Sequence, residues 1–428
     1  MVVRFHNLLF CLLLLTSASY AQQDLKISHG PMLGTVTDRS AAIWLRTTVP
    51  GRVSVRLSEI RPFAKELIQR IRTDENSDNT AVFHCNDLKP DTRYRYIAQA
   101  DDSSYEGRFT TPGPALKKRA LRVVYGYGYK HAENRMKSGR SIFMEMASRK
   151  ADLVFFIGDF PYTETGAKEE VREGNRKLRS VPGFRQLTAS TPTYGIYDDH
   201  DFGPNDCDGT HKNADEALAA FKEYWPNPSY GQPDNKGIYT SFVVGNAEFF
   251  LLDGRYQARK RQKTMLGKRQ FEWLCRELKN SKSRYKVLVS GTQFSREKND
   301  SWGGRYYVNE REKLFSFIFE NNITGVIGIS GDVHRSDVHK LPIGKDRLFY
   351  DFTPGALSRV HRTPQIPRPA TTLHSYGKSG DNNMFGEIVF NPSSDKDVAV
   401  VFRSFSAKNG LIYEHRLSPA DLAIQPAP

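Results

Sequence analysis

From Leu121 onward, short apolar runs alternate with helical stretches, and five of those runs finish in side chains able to bind ligands. LVFFI leads into Gly158-Asp159, TYGIY into Asp198-Asp199-His200-Asp201, and FFLL into Asp253-Gly254-Arg255. KVLVS leads into Gly291-Thr292-Gln293 and GVIGIS into Gly331-Asp332-Val333-His334. Strand-like runs separated by helical stretches such as ADEALAAFKEYW, KRQFEWLCRELK and EREKLFSFIFENN predict an α/β domain with a buried, layered sheet. In such sheets the carboxyl ends of strands share one edge, where ligand crevices form. Five clusters far apart in sequence are therefore expected to converge.

Upstream the pattern differs. Between Ile27 and Pro112 the runs AAIWLRTTV, RVSVRLSEI, TAVFHC, YRYIAQA and EGRFTTP are short, alternating or β-branched, and broken by turn residues. They predict a small antiparallel sandwich over residues 24–113. Within it LKPDTRYRYIA, Leu88 to Ala98, resembles the corner of a fibronectin type III or immunoglobulin-like domain, where an inward tyrosine ties a loop to the sheet. Nothing in this stretch looks catalytic, so it is read as a structural or docking domain. The polar joint GPALKKRA separates it from the second domain, placed at 120–418.

The first residues, MVVRFHNLLFCLLLLTSASYAQQ, have one arginine, an apolar core from Leu8 to Leu15, and small residues at Ser19 and Ala21. That is the form of a signal peptide over residues 1–21, so export to the periplasm or medium is expected. No later run reaches bilayer length, so no transmembrane segment is expected. Without Cys11, the cysteines Cys85, Cys207 and Cys275 are too few and too scattered for a disulfide framework or a CxxC metal site. The chain has 62 Lys and Arg against 48 Asp and Glu, a net charge of +14, which favours anionic partners. No long basic block interleaved with aromatics marks a dedicated nucleic-acid binder.

Taken singly, each polar cluster is an ordinary turn. DDHD caps and Asx-turns are common, and Gly158-Asp159-Phe160-Pro161-Tyr162 reads as a turn aspartate with a core tyrosine. Together they imply more, because carboxylates brought within a few ångströms repel unless a cation neutralises them. Carboxylate, amide, phenol and imidazole suit hard or borderline metals. One or two such ions at a strand edge can activate water and clamp a phosphoryl oxygen.

GDFPY, DDHDFGPND, LLDGRYQ, LGKRQFEWL, SGTQFS, SGDVHRSD, DFTPGALS and NNMFGEIVF follow, in order, the motif series of another group. The chain resembles the alkaline phosphatase D-like (PhoD-like) metallophosphatases, relatives of purple acid phosphatases and the calcineurin-like superfamily. The resemblance covers roughly residues 120 to 405. It implies a four-layer α+β sandwich and hydrolysis of phosphate mono- or diesters. It implies Asp159 as bridging metal ligand, Tyr162 as phenolate ligand, Asn205 as amide ligand with Asp199 beside it, and Asp332 and His334 as the late ligands. It further implies that His200 donates a proton or holds the phosphate, and that Arg255 contacts substrate or braces its loop. The ions expected are calcium, ferric iron or both. Asp198, Asp201 and Asp206 are expected to orient the others.

One position departs from the family pattern. The usual cysteine after the first strand falls on Gly128, within Val124-Tyr125-Gly126-Tyr127-Gly128-Tyr129-Lys130-His131. This leaves open a single metal, a calcium-rich cluster, or an iron site compensated by Tyr127, Tyr129 or His131. The alternative to an enzyme is a metal-stabilised, non-catalytic module that binds an anionic surface polymer. Basic groups expected near an anionic substrate are Arg172, Arg176, Lys177 and Arg179, the run from Arg255 to Lys263, and Arg359 with Arg362; the first of these groups is as readily solvated surface.

Overall fold

A computed structural model describes residues 24–130, 141–295, 299–358, 371–377, 383–406 and 410–424. The leader at 1–21, His131, Arg359 and Arg362 lie outside the described residues.

Seven strands between Ile27 and Thr110 form two antiparallel sheets of three and four strands. Leu33, Ile43, Leu45, Val53, Val55, Phe83, Tyr96 and Ala98 pack between them. Alternation decides which residues enter: in Arg52–Glu59, Val53, Val55 and Leu57 are buried while Arg52 is exposed. The Tyr94 hydroxyl accepts the Lys89 N–H at 2.9 Å, forming the expected tyrosine corner.

The larger part of the chain holds a six-stranded and a seven-stranded sheet face to face. In the six-stranded sheet, Thr193–Ile196, Leu153–Ile157 and Leu121–Gly126 run parallel, followed by three antiparallel strands from the C-terminal region. In the seven-stranded sheet, Ala247–Leu251, Tyr285–Ser290, Val326–Ser330 and Arg347–Pro354 are parallel neighbours. The period of two sorts each strand between layers. Phe249, Val287, Val289, Ile327 and Ile329 enter the core between the sheets, whereas Phe250 and Leu288 face the helices Gly267–Asn280 and Val308–Glu320. On the opposite sheet, Phe155 stacks near Phe242 and Phe249 while Phe156 meets Phe143, Phe184 and Trp225 under the outer helices. The result is the four-layer α+β arrangement that the motif series implied.

The sandwich is docked through a polar and aromatic seam. Asp78 accepts hydrogen bonds from Arg46 and from Arg176 at 2.8 Å, and from the Tyr224 hydroxyl. Arg172 bonds Glu223 and the Asn76 carbonyl, and Trp44 Nε1 donates to the Glu223 carbonyl at 2.7 Å. Arg179 is buried with its guanidinium over the rings of Trp44, Phe184, Tyr224 and Trp225. Arg172, Arg176 and Arg179 therefore bind the N-terminal domain rather than a substrate. They lie on one face of the helix Lys168–Arg179, and that face meets the sandwich.

Candidate metal centre

All five predicted clusters sit at the carboxyl ends of parallel strands. Asp159 follows Leu153–Ile157 and Asp198 to Asp201 follow Thr193–Ile196, both in the six-stranded sheet. Asp253 to Arg255, Thr292 and Gln293, and Asp332 with His334 follow strands of the seven-stranded sheet. Because the two sheets face each other, one edge of the sandwich collects side chains from both. Asp159 and Asp332 both adopt left-handed backbone, with φ of 50° and 69°. Aspartate tolerates this region better than most residues, and such strain concentrates at functional sites. Gly158 allows the close approach of the two acidic turns, since a Cβ there would meet the Asp198 Cβ at 2.5 Å.

The acidic side chains come together below the protein surface. Asp159, Asp198 and Asp199 are at most 1% exposed, and Asp332 and His200 are 4% and 7% exposed. Three groups each bring one ligand atom per residue within 4.8 Å of one another: Asp159, Asp199 and His200; Asp198, Asp199 and Asp332; and Asp199, Asp206 and Asp300. Asp199 belongs to all three. His334 Nε2 is 4.0 Å from Asp159 Oδ2, and the Tyr162 ring stacks on His200 with centroids 3.9 Å apart. His200 Nδ1 lies 3.3 Å from Glu164 Oε2.

Hydrogen bonds fix this arrangement locally. Asp201 accepts the backbone N–H groups of Asp198, Asp159 and Phe160, tying the two acidic turns to one carboxylate. Asp199 accepts from its own neighbour His200 at 3.0 Å and from Asp206 N–H at 2.7 Å. Thr292 donates to Asp332 at 3.1 Å. Burial, and then the neighbouring charges of Asp199, Asp198, Asp201 and Asp332, push the Asp159 carboxyl well above the usual range. Burial likewise raises Asp198, against the opposing pull of Arg255.

These residues fit a cation. Asp198 Oδ2, Asp206 Oδ1 and the Tyr127 hydroxyl are enclosed and make no hydrogen bond among the described residues. The donors are oxygens with imidazole nitrogens, the set expected for a hard or borderline ion. A thiolate does not contribute. Cys207 is nearby, but its Sγ points to the Asp199 carbonyl at 3.8 Å, and burial pushes the thiol up to about 12.

Arg255 and Asn205 sit differently from the other expected residues. Arg255 is 1% exposed and is spent on bracing: Nε donates to Asp198 Oδ1 at 2.6 Å and Nη1 to Asp300 Oδ2 at 3.3 Å and the Cys207 carbonyl at 3.1 Å. Of the two functions expected for it, loop bracing is the one its geometry serves, because its guanidinium is enclosed by carboxylates. Asn205 is exposed, unlike the buried ligand candidates, because Gly203 and Pro204 turn the chain outward before Asp206 returns in left-handed backbone. Asp300 was not foreseen. It lies in KNDSWGG, which has neither a strand-like run nor a motif, and only its contact with Arg255 and its grouping with Asp199 and Asp206 reveal it.

Beside Asp206 opens a surface cavity of about 710 Å3, lined by Asn205, Asp206, His211, Arg259, Lys260 and Arg261 among others. It carries part of the basic run expected near an anionic substrate.

The profile of the PhoD-like phosphatase family matches residues 127–370, more than half of the chain. A second profile, described as a domain of unknown function, matches residues 24–115. Alkaline phosphatase D of Bacillus subtilis (strain 168) is 25% identical over 252 residues, covering 45% of this chain and 43% of that protein. The match thus spans less than half the length of that relative. Among solved structures, one described as the structure of PhoD superposes with a TM-score of 0.72, at 18% identity, over 93% of each chain. The purple acid phosphatase PPD1 of yellow lupin (Lupinus luteus) superposes with a TM-score of 0.65, at 13% identity, over 92% of this chain and 75% of that one. These two likenesses establish the fold.

Proposed function

The chain belongs to the PhoD-like phosphatase family, and from that premise we propose that it is an exported, metal-dependent phosphoesterase acting on phosphate mono- or diesters. The observation that carries the reading is the buried carboxylate cluster in which Asp199 is common to three ligand groups drawn from both sheets. We assign Asp159, Tyr162, Asp199, Asp332 and His334 to holding the cation. Imidazole and phenol donors favour iron, whereas the two all-carboxylate groups, Asp198 with Asp199 and Asp332 and Asp199 with Asp206 and Asp300, favour calcium. Asn205 joins this set only by turning inward from its exposed position.

A bound cation supplies Lewis-acid polarisation of a phosphoryl oxygen and brings the pKa of a water to about 7. His200 is held against the Tyr162 ring and by its own N–H on Asp199, so its imidazole can hand a proton to the departing oxygen or grip a phosphoryl oxygen. Asp201 keeps both acidic turns in register through three backbone bonds. Arg259, Lys260 and Arg261 at the neighbouring cavity draw in an anionic ester. Export is supported by the leader composition of residues 1–21. Among the described residues no helix is long and apolar enough to cross a membrane.

Hydrolysis of a chromogenic phosphate monoester and diester by the purified chain, with and without chelator, tests the reading. Turnover that is lost to chelator and restored by iron or calcium is expected. Folded, metal-bound protein that turns over neither ester with any added cation would instead support a metal-stabilised binding module.

A further inference from the structure

Tyr127 follows the strand Leu121–Gly126 and is completely buried. It shares a strand face with Tyr125, whose hydroxyl reaches the Phe352 carbonyl on the opposite sheet. Tyr127 therefore also faces the space between the sheets, one step nearer the edge where the carboxylates collect. Its ring centroid is 5.7 Å from that of His334. A Cβ on Gly331 would lie 3.0 Å from the ring, so the phenol packs directly on the turn that carries Asp332.

The hydroxyl is the unusual part. It is fully enclosed and makes no hydrogen bond among the described residues. A phenylalanine would fill the same space without enclosing an unpaired polar atom, which ordinarily costs stability. Tyr129, two residues on, packs against Phe143 and Phe160 in the aromatic layer beneath the helices instead. Gly128 between them has a left-handed φ of +67°, and a Cβ there would meet that of Ala356 at 3.2 Å. Of these three neighbours, only Tyr127 has its ring packed on His334 and on the turn that carries Asp332.

We propose that Tyr127 is a metal ligand, giving its phenol oxygen to the cation held by Asp159, Asp332 and His334. The inference rests on the metal-dependent reading above and adds a second oxygen of phenol type beside Tyr162. On binding, the O–H bond breaks, the oxygen keeps the electron pair, and the proton leaves to solvent.

The test is a titration of the metal-stripped full chain with ferric nitrilotriacetate, following iron stoichiometry, the ultraviolet tyrosinate difference band and the visible charge-transfer band. The wild type should develop a band for two tyrosines. Tyr127→Phe and Tyr162→Phe should each give about half that amplitude. Tyr127→Phe should also weaken iron binding at least ~10-fold, since even the outer partners of metal ligands are commonly worth that much. The stripped Tyr127→Phe protein should melt at the same temperature as the wild type or higher, because only an unpaired hydroxyl is removed. Full band amplitude and unchanged affinity in Tyr127→Phe would overturn the inference. If Asp159→Asn loses iron while Tyr127→Phe does not, the metal centre stands and only Tyr127 is excluded. A wild type that binds no iron overturns both readings for that ion.

Discussion

Arg255 Nε donates to Asp198 Oδ1 at 2.6 Å, and both side chains are almost wholly buried. With Asp300 on its other arm, this arginine is the cationic partner of two carboxylates beside the cluster. Removing it takes the guanidinium away from the buried Asp198 carboxylate. Arg255→Met should cost about 3–5 kcal/mol of unfolding free energy in urea titrations of the metal-free chain. A loss below 1 kcal/mol, or a variant changed only in KM, would return Arg255 to the substrate path.

Asp159 and Asn205 provide a contrast between a buried and an exposed candidate ligand. Asp159→Asn removes a charge from the centre of the cluster at almost no change in shape, and should lower bound metal per chain and turnover together by at least ~10-fold. Asn205→Ala should leave metal content close to that of the wild type, as its exposed position implies. Equal losses in the two variants, by metal analysis of the purified proteins, would show that the 204–205 turn swings inward.

The sandwich should stay docked only while Asp78 is charged. It joins Arg46 of its own domain to Arg176 and Tyr224 of the other. Asp78→Ala leaves two arginines facing a buried gap, and should destabilise by about 3–5 kcal/mol. Limited proteolysis should then cut the 113–120 joint faster than in the wild type. Unchanged cutting would mean that the aromatic contacts around Arg179 suffice.

His29 gives the seam a pH dependence. Its Nε2 is 3.0 Å from Ser180 Oγ, and burial lowers its pKa from 6.5 to about 4; Arg46, Arg179 and Arg185 push the same way and Asp78 opposes them. The folded protein thus holds His29 neutral where the unfolded chain would protonate it. Its contribution is complete above pH 6.5 and is lost as pH falls toward 4, by up to about 3 kcal/mol. His29→Gln should flatten the wild-type stability curve across that interval, as measured by denaturant midpoints at successive pH values. Parallel curves for the two proteins would exclude the mechanism.

How much of this was legible depended on how local the signal is. Asp159, Asp199 and Asp332 could be found because each follows an apolar run that can only be a buried strand, and the parallel order of those strands carries them to one edge. Arg255 was expected near the acidic turns with its role open between substrate contact and bracing, because its partners Asp198 and Asp300 lie 57 and 45 residues away. The edge strand Glu66–Arg72 escaped notice because none of its residues is buried and its sequence has no inward face to declare. The arginines of the helix Lys168–Arg179 could be read equally as substrate contacts or as solvated surface, since sequence cannot tell which surface a charged face will meet. Tyr127 was one of three candidates beside Gly128. Only the packing of Tyr129 among phenylalanines and of Tyr127 on His334 separated them.

Asp159 and Asp199 hang from one sheet, and Asp332 and His334 from the other. An ion shared by them is therefore a rivet through the two halves of the sandwich, and metal supply becomes part of the folding equilibrium. At a free concentration a hundredfold above Kd, such an ion contributes about 2.7 kcal/mol that a stripped chain lacks. A chain that leaves the cell without its ion would reach that state only where it meets one, so the environment that receives it would also finish building it.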